Sequence, residues 1–213
     1  MMADAVAGTK QGDAQAREGD SSPVPRVAPS AAWGWLFVVG GIVGIVLSGI
    51  IMVEKMKLAE DPSYITTCDL NAVVSCGNVM RSVQAAAFGI PNPFIGLVGF
   101  GMVALIGAAV AAGGRFAGWF WFGAQAGMTF ALLFVHWLFF QAVYVIGALC
   151  PYCMGVWAVT IVLFVYVTAF NLRAYGDSGS ALIRGWDRGK LLIAVVWIAA
   201  IGVAIVARFW SYF

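Results

Sequence analysis

Charge is scarce in this chain. Of its 213 residues only 10% are charged, 12 Lys+Arg against 10 Asp+Glu, while 62% are hydrophobic. That balance excludes an ordinary soluble domain. A formal net charge of +2 gives nucleic acid no electrostatic footprint. Histidine is nearly missing, with His136 alone. A metal path through the protein therefore has no ladder of imidazoles. The N-terminus also lacks the compact basic-then-apolar start of a signal peptide. Residues 1–32 are polar and rich in Ala, Gly, Asp, Ser and Pro, and read as a disordered cytosolic tail.

What is present is a set of apolar runs long enough to cross a ~30 Å hydrocarbon layer as helices. The spans read as Trp33–Val53, Asn92–Ala112, Gly118–Ile146, Cys150–Phe170 and Leu191–Arg208. Residues 33–213 thus form one five-span, all-α membrane domain. Gly40, Gly44 and Ser48 on the first span, and Gly123 and Gly127 on the third, read as close helix packing. Trp33, Trp35, Trp119, Trp121, Trp210 and Tyr212 read as interface anchors. Between the first two spans, 54–91 mixes charge with Cys68 and Cys76, and Pro62 stops any helix continuing from the first span. Val79, Val83 and Ala87 share a face if that stretch is helical, which makes it a candidate lid. Residues 171–190 read as a polar loop.

Five spans put the two ends on opposite sides. With the N-terminus inside, Lys10, Arg17, Arg26, Arg115, Arg173, Arg184, Arg188 and Lys190 are cytoplasmic, against Lys55, Lys57, Arg81 and Arg208 outside. The excess of inside positive charge favours that orientation. All four cysteines then face the extracytoplasmic side, where disulfides persist.

Cys150-Pro151-Tyr152-Cys153 opens the fourth span. A thiol at a helix start meets unpaired N–H groups and the positive end of the helix dipole, and both favour thiolate. Pro151 suits the first turn, where its missing N–H has no partner in any case. A disulfide across so short a loop adds little chain-entropy stabilisation, so the pair reads as a working redox couple. A purely structural reading gives Cys68–Cys76 and Cys150–Cys153 as two clamps. A third reading is a membrane metal-ion carrier using the cysteines as soft ligands. Asn92 reads equally as a helix cap or as a hydrogen-bond donor to a ligand. His136 reads as a buried neutral imidazole, though any polar group within a span is a functional candidate. Asp69 reads as a loop cap or a solvated charge rather than a proton carrier.

The run Cys68-Asp69-Leu70-Asn71-Ala72-Val73-Val74-Ser75-Cys76, with Ser82, Phe88-Gly89, Asn92-Pro93-Phe94-Ile95-Gly96 and Cys150-Pro151-Tyr152-Cys153, resembles the vitamin K epoxide reductase family. The resemblance covers the first span to the fourth. It implies a four-helix transmembrane bundle around a quinone, menaquinone or ubiquinone, with a fifth helix as in bacterial members. It also implies a disulfide-generating enzyme of the cell membrane. A soluble thioredoxin-like disulfide oxidase would be its extracytoplasmic partner, separate because no such domain is fused here. Carried over, Cys68 meets the partner, Cys76 passes electrons to Cys150 through a transient Cys76–Cys150 disulfide, and Cys153 faces the quinone. Asn92 would bond a quinone carbonyl, Ser82 support the pocket and Phe88 form an apolar wall. Trp157 stands where animal members have tyrosine; its N–H donates but cannot accept, which favours plain quinone over vitamin K epoxide.

Overall fold

The computed structural model describes residues 28–71, 73–177 and 180–210. The expected tail lies largely outside them, in residues 1–27, as does Tyr212. The chain is an all-α membrane protein. Five of its helices are long and apolar enough to cross a membrane, and no strand forms among the described residues beyond one isolated bridge.

Helix α1 is Ala31–Glu60, started by Ser30, whose hydroxyl accepts from the Trp33 N–H. It runs two turns past the apolar stretch, so the expected loop start at residue 54 is too early. It ends at Asp61, directly before Pro62. After a short helix α2, Cys76–Arg81, and a 3₁₀ turn, Val83–Ala86, come α3, Asn92–Ala111, and α4, Gly118–Phe140, which widens into a π-helical turn over Gln141–Ile146. Gly147, at φ 71°, ends that turn, a conformation glycine adopts without steric cost. Helix α5 is Pro151–Tyr175 and α6 is Ala181–Phe209. The polar loop expected over 171–190 is therefore mostly helix. Asp187 accepts from Lys190 and pairs with Arg173, so the polar ends of α5 and α6 stay helical although hydropathy cannot register them.

Helix α5 is the hub and packs on α1, α4 and α6. Helix α3 packs on α1 alone, with hardly any contact to α4. Four helices thus form an open ring, α3–α1–α5–α4, with α6 outside it. The α1–α3 seam is drawn tight by small residues. A Cβ on Gly34 would lie 2.6 Å from the Ala111 amide nitrogen, on Gly41 2.7 Å from that of Ala104, and on Gly107 2.6 Å from that of Val38. Backbone approach of this kind replaces the hydrophobic effect that helices lack in lipid. Gly44 and Ser48 belong to the seam, beneath Phe100 and beside Gly96, whereas Gly40 meets Leu163 of α5. Gly123 and Gly127 pack against nothing: a Cβ on either has no neighbour within 4 Å. They face the space between α3 and α4, which corrects their reading as helix contacts. Trp35, Trp119 and Trp210 are exposed, as membrane anchors are, but Trp121 is buried and packs with the half-buried Trp33.

Candidate functional site

The segment from Asp61 to Pro91 folds back over the end of the ring where α1 and α4 finish and α3 and α5 begin. Its centre is the Asp69 carboxylate. That group accepts from the Thr66 N–H (3.1 Å), the Ser75 hydroxyl (2.8 Å) and the Gly77 N–H (3.0 Å). Burial pushes the carboxyl up, but these donors outweigh it and hold it below the usual carboxylate range. Asp69 is a loop organiser, in line with its reading as a cap. Ser75 in turn caps α2 by accepting from the Asn78 N–H.

A parallel bridge joins Val74 to Leu149. The Leu149 N–H donates to Val73 O at 2.7 Å, and the Ser75 N–H to Leu149 O at 3.0 Å. The cysteines just beyond the bridge on each strand, Cys76 and Cys150, therefore converge. Cys68 and Cys76 form a disulfide, with Cα atoms 5.6 Å apart. The sulfurs of Cys68, Cys76 and Cys150 all lie within 4.8 Å of one another. Ile51, Leu58 and Met80 wall this cluster, and Cys68 and Cys76 are only 5% and 0% exposed.

Cys150 is the N-cap of α5, and Pro151 occupies its first turn. The Cys150 sulfur accepts from the Cys153 N–H at 3.4 Å. A sulfur held this way at a helix start meets the positive end of the helix dipole, which favours its thiolate form. Cys150 and Cys153 are both free thiols.

Cys153 opens onto a cavity of about 770 Å³ that occupies the gap in the ring. Its walls are apolar, from Ile51, Val98 and Phe100 to Phe134 and Val156, and Lys55, Ser82, Gln84 and Asn92 bring polar side chains from the end of α1, the loop and the start of α3, with Ser48, Gln141 and Thr160 also in the lining. The volume lies within the ordinary range for ligand pockets. Of the expected pocket residues, Ser82, Asn92 and Trp157 line the cavity. Phe88 is not among the lining residues; it is 59% exposed and its ring packs on Phe130 and Phe134, which are. It bridges the loop to α4 across the mouth of the gap.

Asn92 does not cap α3, because Pro91 holds that position and no side-chain cap bond forms. Its amide instead donates to Gln84 O at 2.7 Å and accepts from the Ala87 N–H at 3.0 Å, so it fastens the cavity roof. The Ser82 hydroxyl donates to Val79 O. Extended backbone at Ser82 breaks the helical run, so Val79 lines the cavity while Val83 is 88% exposed. The shared face expected of Val79, Val83 and Ala87 does not form. The Trp157 ring meets Phe139 edge-on.

His136 is absent from the cavity lining. Its Nε2 accepts from the Trp197 indole at 3.0 Å and its Nδ1 lies 2.8 Å from Leu132 O. Trp197 needs an acceptor and Leu132 O a donor, so the ring is neutral and ties α4 to α6. Two residues not singled out from the sequence matter here. Glu54, only 4% exposed, accepts from Tyr64 OH and from the backbone and hydroxyl of Thr67, next to Cys68. Lys55 reaches the cavity roof. In sequence both look like interface charges following an apolar run, and only their helical register separates them.

The vitamin K epoxide reductase family model matches residues 35–168, and the chain belongs to that family. The match includes all four cysteines. No curated protein matches the chain.

Proposed function

We propose that this member of the vitamin K epoxide reductase family is a membrane thiol oxidase that makes disulfides de novo. It takes two electrons from a soluble thioredoxin-like protein on the extracytoplasmic side and gives them to a membrane quinone. The observation that carries this reading is the sulfur cluster: a loop disulfide within 4.8 Å of the Cys150 sulfur, with Cys153 of the same CxxC lining an apolar cavity.

The chemistry runs inward. The reduced partner exchanges with Cys68–Cys76 and leaves that pair as a dithiol. Because Cys68 is 5% exposed in the closed loop, the partner requires the loop to open. The Cys76 thiolate attacks Cys150 of an oxidised Cys150–Cys153 pair; the Cys76–Cys150 bond forms and Cys153 leaves. The Cys68 thiolate then attacks Cys76, remaking Cys68–Cys76 and expelling Cys150. A well-stabilised leaving thiolate speeds that step, and the Cys153 N–H bonded to the Cys150 sulfur at the start of α5 stabilises it. The product is the state described above, loop pair oxidised and helix pair reduced. Reaction of that dithiol with quinone yields the Cys150–Cys153 disulfide and quinol, two electrons and two protons moving together. Asn92 and Trp157 both line the cavity and carry neutral N–H donors, which supports a role in bonding quinone oxygens.

A metal carrier would use the same three sulfurs as thiolates. The Cys68–Cys76 bond consumes two of them, and His136 is committed to Trp197 and Leu132. The deciding experiment is anaerobic turnover of purified protein with reduced thioredoxin-like protein and menaquinone or ubiquinone. Cys153→Ala should abolish quinone reduction while the loop pair still exchanges with the partner. Quinone reduction by Cys153→Ala at the wild-type rate would sink the scheme.

A further inference from the structure

We propose that Lys55 contacts the quinone head directly and stabilises the oxygen that gathers negative charge as the Cys150–Cys153 dithiol is oxidised. This rests on the quinone reading above and deepens it. Lys55 is the one charged side chain among the residues that line the cavity, and it belongs to the same polar end as Ser82, Gln84 and Asn92. Its ammonium donates to Met80 O at 3.2 Å and to Ala85 O at 3.4 Å; Met80 and Ala85 both line the cavity as well. An ammonium carries three N–H donors, so one remains. No carboxylate among the described residues pairs with it. Its neighbour Glu54 is engaged by Tyr64 and Thr67.

A half-buried cation without a counter-ion, beside an apolar cavity, is costly. Fastening the roof does not by itself call for a charge, since a neutral amide can serve a roof carbonyl, as Asn92 serves Gln84 O from α3. The other roof donors are neutral, and two of them are partly engaged. The Ser82 hydroxyl has given its single proton to Val79 O, and one Asn92 N–H goes to Gln84 O. A fixed positive charge in a dry site acts on charge that develops during reaction, and does so without reorganising. The overall step remains dithiol plus quinone to disulfide plus quinol, with Lys55 unchanged at its end.

The test uses full-length protein, reduced by a small dithiol so that no partner is needed, with menaquinone or ubiquinone as oxidant. Two rates are read: quinone reduction, and Cys76-to-Cys150 exchange followed by thiol trapping without quinone. Lys55→Met should slow quinone reduction on the order of 100-fold and leave exchange unchanged, and Lys55→Arg should recover most of the loss. Wild-type quinone reduction in Lys55→Met overturns the proposal. So does equal slowing of both rates, which marks a roof fastener only, or a Lys55→Arg as slow as Lys55→Met. A wild-type protein that exchanges disulfides and reduces neither quinone overturns the underlying reading instead, and Lys55 falls with it.

Discussion

Cys68 and Cys76 are brought together by a loop, Cys150 and Cys153 by a helix. The loop pair owes its place to hydrogen bonds between residues close in sequence but irregular in backbone: Asp69 gathers Thr66, Ser75 and Gly77, and Asn71 accepts from the Val73 and Val74 N–H groups. The helix pair owes its place to the first turn of α5 and to the packing of α5 against three other helices. The first arrangement can open without disturbing the bundle; the second cannot. The proposed relay needs that difference, because in it the outer pair meets a protein and the inner pair holds its position against a membrane-bound oxidant.

The most severe way to break the comparison is to cut the link between the pairs. Cys150→Ser should leave the loop disulfide formed and the bundle folded, yet reduce electron transfer from the loop pair to quinone to background. Thiol trapping after mixing with reduced partner should find the loop dithiol accumulating. Oxidation of the loop pair by quinone in that variant would show a route that bypasses Cys150.

Asp69→Ala should loosen one pair and spare the other. Hydrogen bonds to a charged group contribute about 1.5–3 kcal/mol each, and the partial exposure of Asp69 reduces that here. Reduction of Cys68–Cys76 by a water-soluble phosphine should accelerate roughly tenfold or more, while the main thermal transition of the bundle stays put. The same contrast follows from acid. The Asp69 carboxyl is depressed in the folded state, so its contribution is fully present above the unfolded value near ~3.9 and is lost as pH falls through the lower folded value. Loop accessibility should therefore rise only under strong acid, and Asp69→Ala should show that rise at neutral pH. A loop disulfide equally protected in both proteins would remove Asp69 from the centre of the loop.

The same contrast separates what was legible in the sequence from what was not. Apolar length and Pro62, Pro91 and Pro151 mark the spans, because crossing a bilayer admits little besides a helix. The CxxC at the head of α5 was legible for the same reason: its geometry is local. Helix ends carrying charge were not, since Arg173 meets Asp187 only once α5 and α6 stand side by side, and the Asp187–Lys190 pair within α6 forms only once that stretch is helical. Asn92 looked like a cap from its place before an apolar run, but its partners are Gln84 and Ala87 in a segment with no periodicity to read. The three-sulfur cluster depends on the Val74–Leu149 bridge, which joins residues far apart in the chain and leaves no mark in either stretch. The family resemblance supplied the cysteine order there, not the geometry.

The finest probe of the comparison is a methyl group added to each holding device. Gly77 and Gly155 sit in α2 and α5, where alanine gains about 1 kcal/mol of helix propensity over glycine. A Cβ on Gly77 would lie 2.8 Å from Asp69 Oδ2, and on Gly155 2.8 Å from Leu47 Cδ1. The distances are equal but the neighbours are not. The Asp69 carboxylate is pinned by three donors and cannot retreat without lengthening those bonds. The Leu47 methyl ends a flexible side chain and can rotate away. Gly77→Ala should therefore expose the loop disulfide to phosphine by a few-fold, despite the propensity gain, a net cost of about 1 kcal/mol. Gly155→Ala should change thermal stability by less than about 1 kcal/mol in either direction and leave quinone reduction within about twofold. If Gly155→Ala proves the more damaging of the two, the helix pair is held by tighter tolerances than the loop pair, and the division between a movable outer couple and a fixed inner one is reversed.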